Sequence, residues 1–192
     1  MDAHSSFGDI MRISGVDEET KSVIDVARLM LLSARTAPKA AGKDDIETVI
    51  LTGKEKDDIA KEMRGMAEEY GENFIRDAKN VEQASALVLI GLKGFKTVGI
   101  NCGACGHEKC SDFSKAEQKQ GVAYKGPICT IKALDLGIAL GSAVKTAQIH
   151  NVDNRVFYRA GAAAFRMNVM PDCPIILCIP LSATGKSVFF DR

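Results

Sequence analysis

Four cysteines near the middle of the chain, Cys102, Cys105, Cys110 and Cys129, follow the spacing Cys-x2-Cys-x4-Cys-x18-Cys. Nothing else in the sequence limits the fold so sharply. Three thiols on one tight loop and a fourth further on make a donor set for a metal centre, and the chain must bring the fourth back to the loop. The loop reads Asn101-Cys102-Gly103-Ala104-Cys105-Gly106-His107-Glu108-Lys109-Cys110, with Gly126-Pro127-Ile128-Cys129 downstream. Gly103 and Gly106 permit positive φ and let backbone N–H groups approach a cluster's sulfides. Four cysteines suit a [4Fe–4S] or [2Fe–2S] centre. Structural zinc also takes four, but usually as two short Cys-x2–4-Cys knuckles, and Cys129 stands alone. Structural or fortuitous thiols are the third alternative.

A chain of 192 residues can bury a core without help from a metal or disulfide. It reads as one domain over residues 1–192, with residues 94–130 as an inserted cysteine-rich segment. Lys plus Arg equals Asp plus Glu at 25 each, so no basic face suggests nucleic acid. No uncharged apolar run reaches the roughly 18 residues of a membrane span; Ala133–Val144 is broken by Asp135 and Gly137. The first twenty residues lack an apolar stretch, which argues against a secretory signal and for the cytoplasm. There, cysteines serve metal or redox chemistry before disulfides.

Periodicity gives the elements. Residues Met1–Gly15 read as a flexible or dimer-wrapping arm. Asp17–Ala37 reads as a helix ended by Pro38 and Gly42, and Ile46–Thr52 as a half-buried strand. Lys54–Tyr70 and Glu72–Asn80 follow as helices. Ala84–Gly91 is a short apolar run of the kind buried on both faces. Ile131–His150 is a long helix whose Ala133, Gly137, Ala139, Gly141 and Ala143 invite close approach by a partner. Asp153–Met167 reads as a helix, Cys173–Leu181 as a buried strand and Ser187–Phe190 as a last short one. The order predicts an α/β sandwich, helices flanking a mixed central sheet.

The motif Asn-Cys-Gly-Ala-Cys-Gly-x3-Cys-x-x-Phe, with a fourth cysteine some eighteen residues on, resembles the bacterial four-iron–four-sulfur domain. That domain occurs in corrinoid iron–sulfur proteins and in the B subunits of Rnf-type electron-transport complexes. The resemblance covers about 35 residues and implies that Cys102, Cys105, Cys110 and Cys129 ligate one [4Fe–4S] cluster. With no corrinoid domain or second ferredoxin motif, the whole chain resembles the prokaryotic family known as ferredoxin-domain-containing proteins. The flanks resemble nitroreductase-type flavoproteins: Ala34-Arg35-Thr36-Ala37-Pro38 ending a helix before a strand, a long Ala/Gly-rich helix after Asp135, and a Lys and Arg near the end. This implies a nitroreductase-like α+β fold, a homodimer, and FMN at the subunit interface with Arg35, Lys39, Lys186 and Arg192 as cations for its phosphate. The sequence departs from that family in lacking a basic Arg-x-Ser-x-Arg stretch before the first helix, and in Lys39 where a small hydroxyl residue is usual. Arg35 and Lys39 also read as cations at a helix C-terminus.

Other residues carry less. Cys173 and Cys178 read as small buried hydrophobes on opposite faces of a strand. His107 reads as a solvated loop residue, and His150 as a cation at a helix end. Gly185-Lys186-Ser187 is not a phosphate loop, because Pro180 stands where the first glycine is needed. The functional expectation is electron transfer through the cluster, to or from a redox partner protein or a small-molecule acceptor. The alternatives are an FMN-dependent nitroreductase-like oxidoreductase, and a non-enzymatic module whose cluster is structural or a redox or oxygen sensor. Whether the chain is an enzyme stays open.

Overall fold

In the computed structural model, which describes residues 13–190, the central strand sets the plan. The apolar run becomes β2 (Ala86–Leu92), with every residue buried. Leu87 and Leu89 enter one core; Ala86, Val88, Ile90 and Leu92 enter a second, as alternating side chains require. β2 lies between β1 (Ile46–Leu51) and β6 (Ile175–Ser182), and β5 (Asp153–Asn154) adds to β6, giving the order β1-β2-β6-β5.

Helices cover both faces. α2 (Gly53–Tyr70), α3 (Asn73–Gln83) and α6 (Tyr158–Arg166) close the first core; α1 (Gly15–Thr36) and α5 (Thr130–Ile149) close the second. The expected α/β sandwich is therefore present. Where a mixed sheet was expected, each pairing within the four-stranded sheet is antiparallel, Val49 and Cys178 both lying opposite Leu89. The connection explains this. One crossover helix between β1 and β2 would make them parallel, but the α2–α3 pair returns the chain to the end it left.

Two other expectations are corrected. Asp153–Met167 is not one helix. The chain turns at Asn151 (φ 53°), forms β5, and starts α6 only at Tyr158. Phe157 exchanges backbone hydrogen bonds with Cys178 at 2.7 and 3.2 Å, so its N–H and C=O belong to the sheet. Residues 183–190 form no strand. The N-terminal arm up to Arg12 lies outside the described residues.

Packing at two glycines is very close. A Cβ on Gly161 of α6 would stand 2.0 Å from the Ile176 carbonyl oxygen, so α6 lies directly on the β6 backbone. A Cβ on Gly91 would meet the Cys173 sulfur at 2.7 Å. Cys173 and Cys178 do not face opposite ways: both enter the first core, because β6 begins after Pro174 and Cys173 belongs to the preceding turn. Burial pushes the Cys173 thiol up to about 12 and raises Cys178 as well, so both are inert small hydrophobes.

α5 uses its small residues on two sides. Ala139, Ala143 and Ala147 are buried in the core shared with α1, where Ser33 Oγ and Thr146 Oγ1 lie 2.6 Å apart. Ala133, Gly137 and Gly141 face outward beside exposed Leu134, Ile138 and Ile149, and α1 exposes Leu29 and Leu32. Among the described residues, no helix is long and apolar enough to cross a membrane.

Candidate metal centre

Residues 93–129 leave β2 and return at α5. They hold only α4 (Cys110–Phe113) and the two-residue strands β3 (Lys119–Gln120) and β4 (Lys125–Gly126). Val98, Phe113 and Cys129 are their buried apolar residues. Little apolar area therefore orders this arm.

All four predicted ligands lie on it. Cys102 is exposed, Cys105 and Cys110 are half-buried, and Cys129 is buried. Cys129 occupies the N-cap of α5, which fixes its backbone on a rigid element. Cys110 opens α4. Its N–H donates to Asn101 Oδ1 at 2.8 Å, and the Asn101 N–H donates to the Cys110 sulfur at 3.4 Å. Gly99 (φ 89°) and Asn101 (φ 50°) supply the left-handed turns that aim these N–H groups inward. The Asn101 N–H holds the Cys110 thiol below its ordinary pKa against desolvation, with help from Thr97 and the backbone of Gly99 and Ile100. This is a cradle for a thiolate, the form that ligates metal.

The donor set fits an iron–sulfur cluster. It consists of thiols alone, one of them held below its ordinary pKa by backbone N–H groups. Gly103 (φ 72°) and Gly106 (φ 85°) keep the loop open, with nothing within 4 Å of the Cβ position of either. Among the described residues, however, no three His, Cys, Asp or Glu side chains converge as a group able to hold a metal ion. His107 packs edge-on against Phe113 at 5.8 Å.

Two of the cations expected for a flavin phosphate already have partners within this chain. Arg35 pairs with Asp44 at 2.6 Å and donates to the Ile46 carbonyl. Lys39 donates to the Ala34 carbonyl at 3.1 Å and to that of Arg35, as a cation at a helix C-terminus does. Lys186 lines a cavity of about 380 Å³ with Gln148, Asp153, Ser187 and Phe190, and neither Arg35 nor Lys39 lines it. Arg192 lies outside the described residues. Arg35 and Lys39 thus bond this chain's own acceptors.

Sequence reasoning missed three buried charges beside the arm: Asp45, Lys132 and Asp135 are 7%, 1% and 3% exposed. No periodicity marks them. The only signal is that Lys132 and Asp135 interrupt an apolar helix on its inward face.

Comparisons with known proteins agree with this fold. Residues 125–192 match a family model described as "Uncharacterized protein containing a ferredoxin domain". An uncharacterized protein of Archaeoglobus fulgidus is 47% identical over 182 residues, covering 95% of this chain and 98% of that one. Nitroreductase A from Vibrio parahaemolyticus is similar in structure at a TM-score of 0.52 and 14% identity, over 85% of this chain; the chain spans only 59% of that protein. A Desulfovibrio desulfuricans chain assigned as a nitroreductase and solved with FMN has a TM-score of 0.52 at 12% identity, covering 95% of this chain and 81% of that one. At such identities these structural likenesses bear on the fold alone.

Proposed function

The chain belongs to the family described as uncharacterized proteins containing a ferredoxin domain, and from that premise we propose that it carries single electrons on one [4Fe–4S] cluster held by Cys102, Cys105, Cys110 and Cys129. The cradle at Cys110 is the observation that supports this most. Backbone N–H groups directed at a sulfur stabilise the thiolate needed for ligation and tune a cluster's potential. When bound, the cluster supplies one-electron chemistry. The rest is the work of the chain: Cys129 presents its sulfur from the start of α5, Asn101 fixes Cys110 through a reciprocal pair of hydrogen bonds, and Gly103 and Gly106 leave the loop approachable. Residues 94–130 are then a cluster-bearing insert in one nitroreductase-like domain. The partner is a redox protein or a small-molecule acceptor, met in a reducing compartment such as the cytoplasm.

Anaerobically reconstituted protein should be brown and contain iron and acid-labile sulfide. Cys105→Ala should lose most of its iron. Stoichiometric zinc without sulfide would overturn the reading.

The outward face of α5, with Leu134, Ile138 and Ile149 beside Gly137 and Gly141, supports a homodimer. Light scattering at micromolar concentration should give twice the 20.6 kDa of one chain; a monomer would refute the assignment.

A second reading, an FMN-dependent oxidoreductase, draws on the fold shared with the Desulfovibrio chain solved with FMN. The commitments of Arg35 and Lys39 weigh against it. Purified protein that binds added FMN stoichiometrically would restore it.

A further inference from the structure

A buried set of charges joins the two ends of the cysteine-bearing arm. Lys132, one helical turn after Cys129, contacts Asp45 at 2.9 Å and Asp135 at 3.5 Å, and donates to the Lys43 carbonyl at 2.7 Å. Lys43 in turn donates from its own ammonium to the Val98 carbonyl at 3.0 Å. Val98 lies within the Thr97–Asn101 turn that cradles the Cys110 sulfur. Asp45 also takes Lys96 at 2.8 Å, and its backbone carbonyl accepts from the Lys93 N–H at 2.7 Å. Asp135 Oδ1 accepts from the Ala40 N–H at 2.9 Å, which anchors the α1–β1 connection to the same point.

We propose that Lys132 and Asp45 are positioning residues that set the electrostatic field at the cluster as well as its geometry, Lys132 raising its reduction potential and Asp45 lowering it. The inference rests on the cluster reading above. A buried lysine is costly unless it is paired and hydrogen-bonded, as Lys132 is, and replacing such a network with apolar groups is often neutral for stability, so stability alone does not account for it. Here the network meets both cluster-bearing segments. Two carboxylates and three ammonium groups leave one net positive charge. When a one-electron donor reduces the cluster, one electron arrives, no bond forms or breaks, and no proton moves. The added negative charge is stabilised by a cation held one helical turn from Cys129 in a poorly polarisable interior. Exposed Lys96 contributes less, because water and salt screen it.

The test is a mediator titration of reconstituted holoprotein followed by electron paramagnetic resonance, with iron and sulfide assayed in every variant. At the parent's midpoint, Lys132→Met should shift the oxidised-to-reduced ratio about tenfold toward oxidised, a fall of about 59 mV for one electron. Lys132→Arg should stay near the parent, and Asp45→Asn should shift the opposite way. The Lys132→Met shift should persist in high salt. Should Lys132→Met fail to fold, Lys96→Met and Asp45→Asn carry the test, with a small salt-sensitive fall expected in the first and a rise in the second. Opposite signs support the inference, since a merely structural role gives none. Fully loaded variants with unchanged potentials, or with shifts in one direction, would overturn it while leaving electron transfer intact. A parent holding zinc without sulfide would overturn both.

Discussion

Replacing Gly161 by alanine is expected to destabilise the protein by about 3 kcal/mol or more, at the upper end of what overpacking costs. The added methyl would stand 2.0 Å from the Ile176 carbonyl oxygen and within 3.1 Å of the Leu177 Cα. Both are backbone, so no side chain can move aside. α6 would have to lift from β6, opening a core that holds Ala160, Ala163, Ile176 and Cys178. For a chain of this size the loss corresponds to a fall in Tm of roughly 6–12 °C. Gly65, an α2 glycine with nothing within 4 Å of its Cβ position, is the control. Gly65→Ala should be neutral or stabilising by up to about 1 kcal/mol. Equal melting temperatures for Gly161→Ala and parent would show that the α6–β6 contact is looser than described.

The second large effect concerns the cysteine arm. Chelating the metal from reconstituted protein, or replacing Cys129 by serine, is expected to loosen residues 99–126 and leave β2 and β6 protected. The arm has few buried apolar groups of its own, while β2 is buried throughout. Local opening free energies range from near zero in such segments to the global value in core strands. Amide exchange in the arm should rise by about two orders of magnitude on cluster loss, which corresponds to roughly 2.7 kcal/mol of lost local protection. β2 amides should change little. Uniform acceleration across the chain would mean that the cluster supports the whole fold, and no change would mean that the arm is ordered without it.

Much of this architecture is legible in the residues. The run Ala84–Gly91 announces a doubly buried strand, and Ala86–Leu92 is one. The amphipathic patterns of Asp17–Ala37 and Lys54–Tyr70 mark their helices to within two residues. Both helices between β1 and β2 were legible, but the direction of the sheet was not, because strand polarity depends on whether the second helix folds back along the first, and no pattern at the Gly71 turn encodes that. β5 was hidden for a related reason. Two residues carry no periodicity, and Asp153–Asn154 joins the sheet only because β6 is already there to pair with it. At the site, the spacing of the four cysteines is what points to a metal centre. The Asn101 cradle and the Asp45–Lys132 contact are tertiary: they depend on where residues nine and 87 positions apart meet, which no local pattern encodes.

Asp45 also bears on how such a chain could be remodelled. Its backbone carbonyl holds Lys93, where the arm departs, and its carboxylate holds Lys132, just after the arm returns. Departure and return are thus pinned to one residue, and the span between them can lengthen or shorten at little cost in closure entropy. The layered body behind it would keep its strand order whichever segment bridged the gap. A fold so arranged can exchange this loop without re-inventing its scaffold, a graft joined at a single anchoring acid.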